Sequence, residues 1–253
     1  MTAEQYASLA SVYEWLIPEP LLDPDWAVTA FSSVVDALPA GARVLDCACG
    51  TGELAVGLAA RDFRVTATDA SPEMIERTRE QAAARGVAVE ARVCRWEDLP
   101  AQGWQGAYDA VFCVGNSLAH APGTARRRAA LGSMAGVLAD RGVLTITSRN
   151  WEAERAGGSR VETFDRLVRR NGIDGLVIYA WTIPDDWEAR HDLEIAVALL
   201  LPDGEVRTTR ERLEVWPFRH ESLDDDLRAA GLTRVTSTWA PDADRYVITT
   251  ARR

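Results

Sequence analysis

The sequence predicts an α/β fold built on a doubly wound, Rossmann-like, mostly parallel sheet of seven strands, and three observations lead to it. An apolar run at residues 43–47 passes directly into the glycine turn Gly50-Thr51-Gly52 and then into a helical pattern. A second apolar run, residues 64–69, ends in Asp69, close to the offset of about 20 residues at which a carboxylate meets a ribose hydroxyl. Strand and helix patterns then alternate up to residue 150, as they do in sheets covered by helices on both faces.

The elements of this core follow from the local pattern. Strands are predicted at residues 43–47, 64–69, 88–94, 108–114 and 143–148, and helices at about 53–60, 72–85 and 123–139. Ser71 is typical of a helix N-cap, and Pro72 suits the first helical position. Because parallel strands place their carboxyl ends at one edge of the sheet, ligands are expected at that edge.

The two flanking regions read differently from the core. Residues 1–40 carry aromatic residues at helical spacing, broken by Pro18 and Pro20, and predict a helical arm that either packs on the core or covers a ligand site. Residues 151–217 contain strand patterns at 176–183, 191–201 and 205–216 around a Pro-Asp-Gly turn, which predicts an antiparallel insertion acting as a lid. A helix at 222–230 and strands at 232–239 and 245–251 would complete the core, which therefore spans residues 41–150 and 218–253.

The composition excludes several classes of function. The net charge of −10 over 253 residues argues against binding to nucleic acid or anionic membranes. The chain contains no lysine, so a Walker-type phosphate loop and a Schiff-base mechanism are excluded. The four cysteines show no metal-ligand spacing, so we predict buried thiols in a reducing compartment and no metal site. With neither a signal-peptide pattern nor about 18 consecutive apolar residues, a cytoplasmic location is predicted.

Polar or aromatic residues follow each predicted core strand, at Asp46 to Gly52, Asp69, Arg95 to Asp98, Asn116 to His120 and Ser148 to Asn150. These stretches resemble the class I S-adenosylmethionine-dependent methyltransferases. Asp46 to Gly52 is similar to their cofactor loop, with Ala48 where the commoner motif has its first glycine. Within that superfamily the chain most resembles glycine N-methyltransferase and related small-molecule N-methyltransferases, through residues 44–52, 65–74, 108–120 and 148–151.

The resemblance implies a set of contacts to S-adenosylmethionine. Asp46 and Gly50 would hold the amine of its methionine part, Asp69 the ribose diol, and Arg95 and Trp96 the adenine. Further cofactor contacts are expected from Tyr13, Ala48, Gly52, Ala70, Met74 and Cys113. The arm lacks the arginine that it carries in the glycine enzymes.

The resemblance also implies an acceptor site and its catalytic residues. Asn116 and Arg149 match positions that bind the acceptor carboxylate in the glycine enzyme. The alternative for Arg149 is a pairing with a protein acid such as Glu152 or Glu154 that holds the lid. His120 is the expected proton acceptor, since histidine titrates near neutrality. Trp216 and Tyr6 are expected to contact the acceptor as well.

These residues predict methyl transfer to a small molecule, first of all to the amine nitrogen of an amino acid or a related carboxylate-bearing metabolite. The alternative is an O- or C-methyltransferase of secondary metabolism, or an aminosugar N-methyltransferase, because nine tryptophans favour an aromatic pocket wall. A non-catalytic S-adenosylmethionine-binding module is the alternative from another class. No nucleic-acid or membrane partner is predicted, and the sequence leaves a homo-oligomer open.

Overall fold

The structure is a computed structural model that describes residues 10–164 and 166–251. In chain order its strands are β1 (Arg43–Asp46), β2 (Arg64–Asp69), β3 (Val89–Val93), β4 (Tyr108–Cys113), β5 (Leu138–Arg149), β6 (Arg160–Thr163), β7 (Val168–Arg170), β8 (Ile173–Thr182), β9 (His191–Leu200), β10 (Val206–Val215), β11 (Thr236–Ser237) and β12 (Arg245–Ala251). The α-helices are α1 (Tyr13–Leu16), α2 (Pro24–Thr29), α3 (Ser32–Val35), α4 (Glu53–Ala59), α5 (Pro72–Arg85), α6 (Gly123–Val137), α7 (Trp151–Ala156) and α8 (His220–Ala229). Short 3-10 helices occupy Glu19–Leu22, Trp96–Gln102 and Ser117–His120. None of the helices in these residues combines the length and apolarity that crossing a bilayer requires.

The main sheet has seven strands in the order β11-β12-β5-β4-β1-β2-β3. Strands β1 to β5 pair in parallel, and β12 runs antiparallel to β5. The predicted fold class is therefore confirmed. The carboxyl ends of β1, β2, β4 and β5 meet at one edge, and the amino end of β12 lies at the same edge because this strand runs the other way.

Local capping explains why α5 forms where the sequence predicts it. The Ser71 hydroxyl accepts a hydrogen bond from Met74 N at 3.3 Å, Pro72 occupies the first turn of α5, and Gly86 ends the helix at a φ of 69°. A side-chain N-cap and a left-handed glycine satisfy backbone groups that the helix itself leaves unpaired. This helix matches its predicted bounds.

The second sheet is more elaborate than the predicted three-stranded insertion. Five antiparallel strands build it, in the order β10-β9-β8-β6, with β7 also paired to β8. Strands β6 and β7 span only four and three residues, which is too short for an alternating pattern to be visible in the sequence. At the other end of the chain, the predicted strand at 232–239 is reduced to two residues, Thr236–Ser237, on the edge of the main sheet.

Two apolar clusters hold the layers together. One lies between the main sheet and the helices α2 to α4, with Val28, Leu58 and Phe112 at its centre. The other runs from the opposite face of the main sheet into the second sheet and includes Leu131 and Val197. The second sheet is thus packed on the core through one continuous apolar cluster.

The second sheet also holds the N-terminal arm. The Trp15 ring is buried against Gly175 of β8, where a Cβ would lie 2.4 Å from the ring atom Cδ1. The Arg170 guanidinium donates hydrogen bonds to the backbone oxygens of Glu14, at 3.2 Å, and Ile17, at 3.1 Å. A cation at the carboxyl end of a short helix satisfies carbonyl groups that have no partner within the helix.

We expect Gly175→Ala to destabilise the protein, because the added methyl group overlaps the Trp15 ring. Overpacking of this kind typically costs ~1–3 kcal/mol, which lowers the melting temperature by about 2–10 °C in a chain of this size. Gly132→Ala is the matched control, since an added methyl group at this position in α6 would meet no neighbouring element within 4 Å and alanine favours a helix. An unchanged melting temperature for Gly175→Ala, beside an unchanged or raised one for Gly132→Ala, would contradict this packing.

Candidate active site

The loop between β1 and α4 has a backbone that only glycine adopts without strain. Gly50 and Gly52 have φ values of 54° and 99°, in the left-handed region where side chains are disfavoured. A Cβ at Gly52 would also lie 2.8 Å from the Thr78 side chain. The loop is tied to β2 by a hydrogen bond from Cys49 N to Thr68 O at 3.0 Å, so its backbone is fixed at the ligand edge.

Asp69 ties the end of β2 to this loop. Its Oδ2 accepts a hydrogen bond from Gly50 N at 3.1 Å, and its Oδ1 accepts one from Ser71 N at 2.9 Å. Burial raises the pKa of this carboxyl, and the backbone donors oppose the shift. Each carboxylate oxygen can still accept a further hydrogen bond, so Asp69 can receive ligand hydroxyls.

Asp46, at the end of β1, has an incomplete set of partners. The residue is 1% exposed, and its Oδ1 has no hydrogen-bond partner among the described residues. Burial raises the pKa of Asp46 to about 7, the Ala48 backbone donor opposes this, and the charges of Asp69 and Glu53 add to it. A buried carboxylate with a free oxygen is costly, so a cationic ligand would stabilise it.

Glu53 is a third acid at this end of the site, and it is not among the residues predicted from the sequence. It accepts hydrogen bonds from the Thr51 hydroxyl at 2.6 Å and from Gln81 Nε2 at 3.0 Å, and burial raises its pKa. The sequence signal was present, because Glu53 is the first residue of the helix that follows the glycine loop, where a carboxylate is favoured.

The acids lie on the wall of a cavity of about 560 Å³, within the usual range for small-molecule sites. The glycine loop and the ends of β2, β4 and β5 form one side of it. The arm forms the other side, through Tyr13, Leu16, Ile17, Pro18, Leu21, Trp26 and Phe31. No described residue of 151–217 lines this cavity, so the arm covers it while the second sheet holds the arm. Whether the second sheet closes over an acceptor stays a prediction.

A smaller cavity, of about 200 Å³, lies beside the first, and His120 lines both. Arg95, Trp96 and Trp216 line the smaller one. The Trp96 indole donates a hydrogen bond to the backbone oxygen of Cys47 at 2.6 Å, which fixes the ring beneath the loop. Trp216 N likewise donates to Ala119 O at 2.7 Å, so the end of the second sheet is bound to the segment after β4.

His120 is neutral at physiological pH in this structure. Burial lowers its pKa to about 4, and the hydrogen bond to the Glu214 backbone partly opposes this. Its Nδ1 lies 3.0 Å from Glu214 O, and a carbonyl oxygen only accepts, so the hydrogen resides on Nδ1 and Nε2 carries the lone pair. Burial and the tautomer together make the His120 imidazole a weak base, and its predicted role as proton acceptor stays a prediction.

Asn116 and Arg149 contact each other rather than the cavity. The Asn116 Oδ1 accepts a hydrogen bond from Arg149 N at 3.0 Å, and the Arg149 guanidinium forms a salt bridge with Glu154. The reason is local, because the Asn150 side chain caps α7 and thereby turns Glu154 back toward the end of β5. The expected contact of Arg149 with an acceptor carboxylate is therefore replaced, in this structure, by a contact with a protein carboxylate.

The structure brings seven of the predicted site residues together on the large cavity: Tyr13, Asp46, Ala48, Gly50, Asp69, Met74 and His120. Gly52, Ala70, Cys113, Asn116 and Arg149 line neither cavity. Gly52 shapes the loop, whereas Ala70 and Cys113 are buried beneath the edge. Tyr6 lies outside the described residues. The individual roles of all these residues stay predictions.

Arg245 and Tyr246 also line the large cavity, and neither is among the residues predicted from the sequence. They lie at the start of β12, which is antiparallel. A search for residues that follow strands cannot find them, since an antiparallel strand brings its first residues to this edge. The alternation of strands and helices in the sequence does not indicate that β12 runs antiparallel to β5.

The family of this protein is shown by a match to the residues of its core. Residues 44–142 match the family model described as "Methyltransferase domain", and they contain the glycine loop, Asp69 and the segment after β4. This region is a class I S-adenosylmethionine-dependent methyltransferase domain. The three acids and the glycine loop described above all lie within this matched region.

Curated relatives match the chain over part of their length. The chain is 37% identical over 122 residues to a glycine/sarcosine N-methyltransferase of Parasynechococcus marenigrum, covering 48% of this chain and 43% of the relative. It is 36% identical over 122 residues to the human glycine N-methyltransferase, covering 44% and 41%. The chain thus matches less than half the length of these relatives.

Solved structures resemble the chain over nearly its whole length. An amino pentose methyltransferase of Micromonospora echinaspora, CalS10, determined with S-adenosylmethionine bound, superimposes with a TM-score of 0.76 at 24% identity and covers 96% of this chain and 95% of its own. The CcbJ methyltransferase of Streptomyces caelestis superimposes with a TM-score of 0.78 at 21% identity, covering 100% of both chains. At these identities the similarity shows the fold, including the second sheet.

The cofactor of this class fits the large cavity. S-adenosylmethionine carries positive charge on its sulfonium and its amine, and one end of the cavity holds Asp46, Glu53 and Asp69. The free oxygen of Asp46 is the acceptor that a bound ammonium group needs. Asp46 would hold the amine and Asp69 the ribose hydroxyls.

We expect Asp46→Asn to weaken S-adenosylmethionine binding by about tenfold or more, because a charge-assisted hydrogen bond contributes ~1.5–3 kcal/mol. The pKa of about 7 also predicts a pH dependence. The carboxyl gains charge as pH rises through 7, so the affinity of the parent should increase between about pH 6 and 8, and the Asn variant should lose this dependence. Calorimetry at several pH values measures both effects.

Asp36→Asn is the matched control for this experiment. Its side chain is 72% exposed and makes only a 3.8 Å contact with Arg61, so affinity should not change. Equal affinity and an equal pH profile in parent and Asp46→Asn would show that Asp46 does not hold the cofactor.

Proposed function

We propose that the chain transfers the methyl group of S-adenosylmethionine to the amine nitrogen of a small molecule. The observation that carries the proposal is the buried Asp46 carboxylate with one oxygen free, beside Glu53 and Asp69. Three clustered carboxylates destabilise one another, so the site as a whole favours a cationic ligand. The cofactor supplies a methyl group on a positively charged sulfur, which leaves as a neutral thioether and needs no acid.

The residues of the chain then have to position the acceptor and exclude water. Holding two reactants in contact with the correct orientation lowers a barrier by several kcal/mol, up to ~10. Leu21 and Phe31 of the arm give the cavity an apolar wall. Closing the arm on the core would enclose both reactants, as mobile covers do in many enzymes.

The weak basicity of His120 limits the protonation state in which the acceptor amine can bind. A group with a pKa of about 4, as His120 has, is too weak a base to deprotonate an ammonium ion at neutral pH. The acceptor must therefore arrive as the neutral amine. His120 Nε2 would receive the proton only after the nitrogen has gained its methyl group and its acidity has risen.

Two classes of amine are supported. An amino acid or a related carboxylate-bearing amine is supported by the similarity to glycine N-methyltransferases. An amino sugar is the second candidate, because the fold similarity to an amino pentose methyltransferase extends over 96% of the chain, whereas the glycine enzymes match 44–48% of it. The apolar arm suits the larger acceptor.

A substrate panel tests the proposal. The protein is incubated with S-adenosylmethionine and amino acids, amino sugars, simple amines and phenols, and S-adenosylhomocysteine is measured by mass spectrometry. We expect turnover with one group of amines and an N-methylated product. Turnover with phenols alone would identify an O-methyltransferase. Tight cofactor binding without turnover on any compound, together with retention of cofactor after purification, would favour a binding module.

A further inference from the structure

We propose that Arg245 forms an anion-binding subsite in the large cavity and holds an acidic group, a carboxylate or a phosphate, of the methyl acceptor. The inference rests on the proposed function, because it names a chemical feature of the acceptor in that same cavity. It also assigns the role that the sequence predicted for Arg149 to a different residue.

The position of Arg245 follows from the direction of β12. This residue begins the strand and is paired in register with Arg149, the last residue of β5. Because β12 is antiparallel, its first residue reaches the ligand edge together with the last residue of β5. Arg245 lines the large cavity, and Arg149 does not.

The charges around the two arginines differ. Arg149 and Arg160 both form salt bridges with Glu154, and Arg160 also pairs with Glu162. Among the described residues, no carboxylate oxygen lies within 4.0 Å of the Arg245 guanidinium. Three arginines thus share two carboxylates, those of Glu154 and Glu162. The arginine left without a carboxylate partner in the described part of the chain is Arg245, which lies on the cavity wall.

The surroundings of Arg245 are those of a cation that lacks a counterion. Arg245 is accessible to solvent, but partial burial of its guanidinium by the surrounding protein lowers its pKa. The positive charge of Arg149 lowers this pKa further, and Glu154, Tyr179 and Tyr13 oppose the shift. An anionic ligand would relieve the repulsion between the two guanidinium groups. The planar fork of arginine also matches two oxygens of a carboxylate or a phosphate.

The subsite lies on the side of the cavity away from the acids. In the sheet order β12-β5-β4-β1, three strand spacings of about 4.8 Å separate the backbone of Arg245 from that of Asp46, roughly 14 Å. The amine and the carboxylate of the cofactor are attached to one carbon, so an amine at Asp46 keeps that carboxylate near β1. The cavity is thus acidic at its cofactor end and basic at its far end, where the acceptor must lie.

The experiment separates this inference from the proposed function. First, S-adenosylhomocysteine binding to parent, Arg245→Met, Arg245→Lys and Arg149→Met is measured by calorimetry. Failure of the parent to bind would contradict the proposed function itself. The saturated proteins are then titrated with ¹³C-acetate and, separately, with inorganic phosphate, and binding is followed by NMR.

We expect the parent to bind one of the two anions saturably, and the preferred anion distinguishes a carboxylate acceptor from a phosphate-bearing one. Arg245→Met should bind it at least tenfold more weakly with unchanged S-adenosylhomocysteine affinity. Arg245→Lys should fall in between, since it keeps the charge and loses the fork. Arg149→Met should change anion affinity less than threefold, because Arg160 still holds Glu154.

Three results would overturn the proposal. The first is the absence of saturable binding of either anion to the saturated parent. The second is a greater loss of anion binding in Arg149→Met than in Arg245→Met. The third is a loss of S-adenosylhomocysteine affinity in both Arg245 variants, which would assign Arg245 to the cofactor.

Discussion

The clustering of Asp46, Glu53 and Asp69 at the ends of β1 and β2 is the constraint on which the rest of the site depends. Burial raises the pKa of each carboxyl, and the charges of Asp69 and Glu53 raise that of Asp46 further. Both effects disfavour the charged state that a cationic ligand requires. The fold opposes part of this cost with backbone and side-chain donors, from Gly50 and Ser71 to Asp69 and from Thr51 to Glu53. Oδ1 of Asp46 has no hydrogen-bond donor among the residues that the structure describes, so a ligand that donates to this oxygen would stabilise the site most.

Covering such a cluster requires a wall that excludes water and still opens. The arm provides an apolar wall, but its helices are only four to six residues long, and helices of this length are not stable alone. Their stability has to come from packing, and Trp15 against Gly175 and Arg170 on the arm's carbonyl groups supply it. The second sheet therefore acts on the cavity through the arm that it holds.

The sequence predicted the parallel half of the protein well, because each strand there is followed by the residues that face the ligand. That rule predicted Asp69 at the ligand edge, the resemblance added Asp46 and Gly50, and all three line the large cavity. The sequence could not decide whether Arg149 meets an acceptor or pairs with Glu154, since that contact depends on where α7 begins and on which way Glu154 turns. Nor could it reveal the short strands β6 and β7, whose bounds are set by pairing to β8 rather than by their own pattern.

The antiparallel strand β12 changes what the edge of the sheet can recognise. In a wholly parallel sheet every residue at this edge comes from the loops that follow strands, and those loops here are rich in acids and glycine. Reversing one strand adds the first residues of that strand, and in this chain they are Arg245 and Tyr246. A cation three strands from the acid cluster, beside a second arginine that is already paired, gives the cavity two ends of opposite charge. With the subsite proposed at Arg245, an acceptor with an amine and an acidic group would bind with its nitrogen toward the cofactor and its anion toward β12.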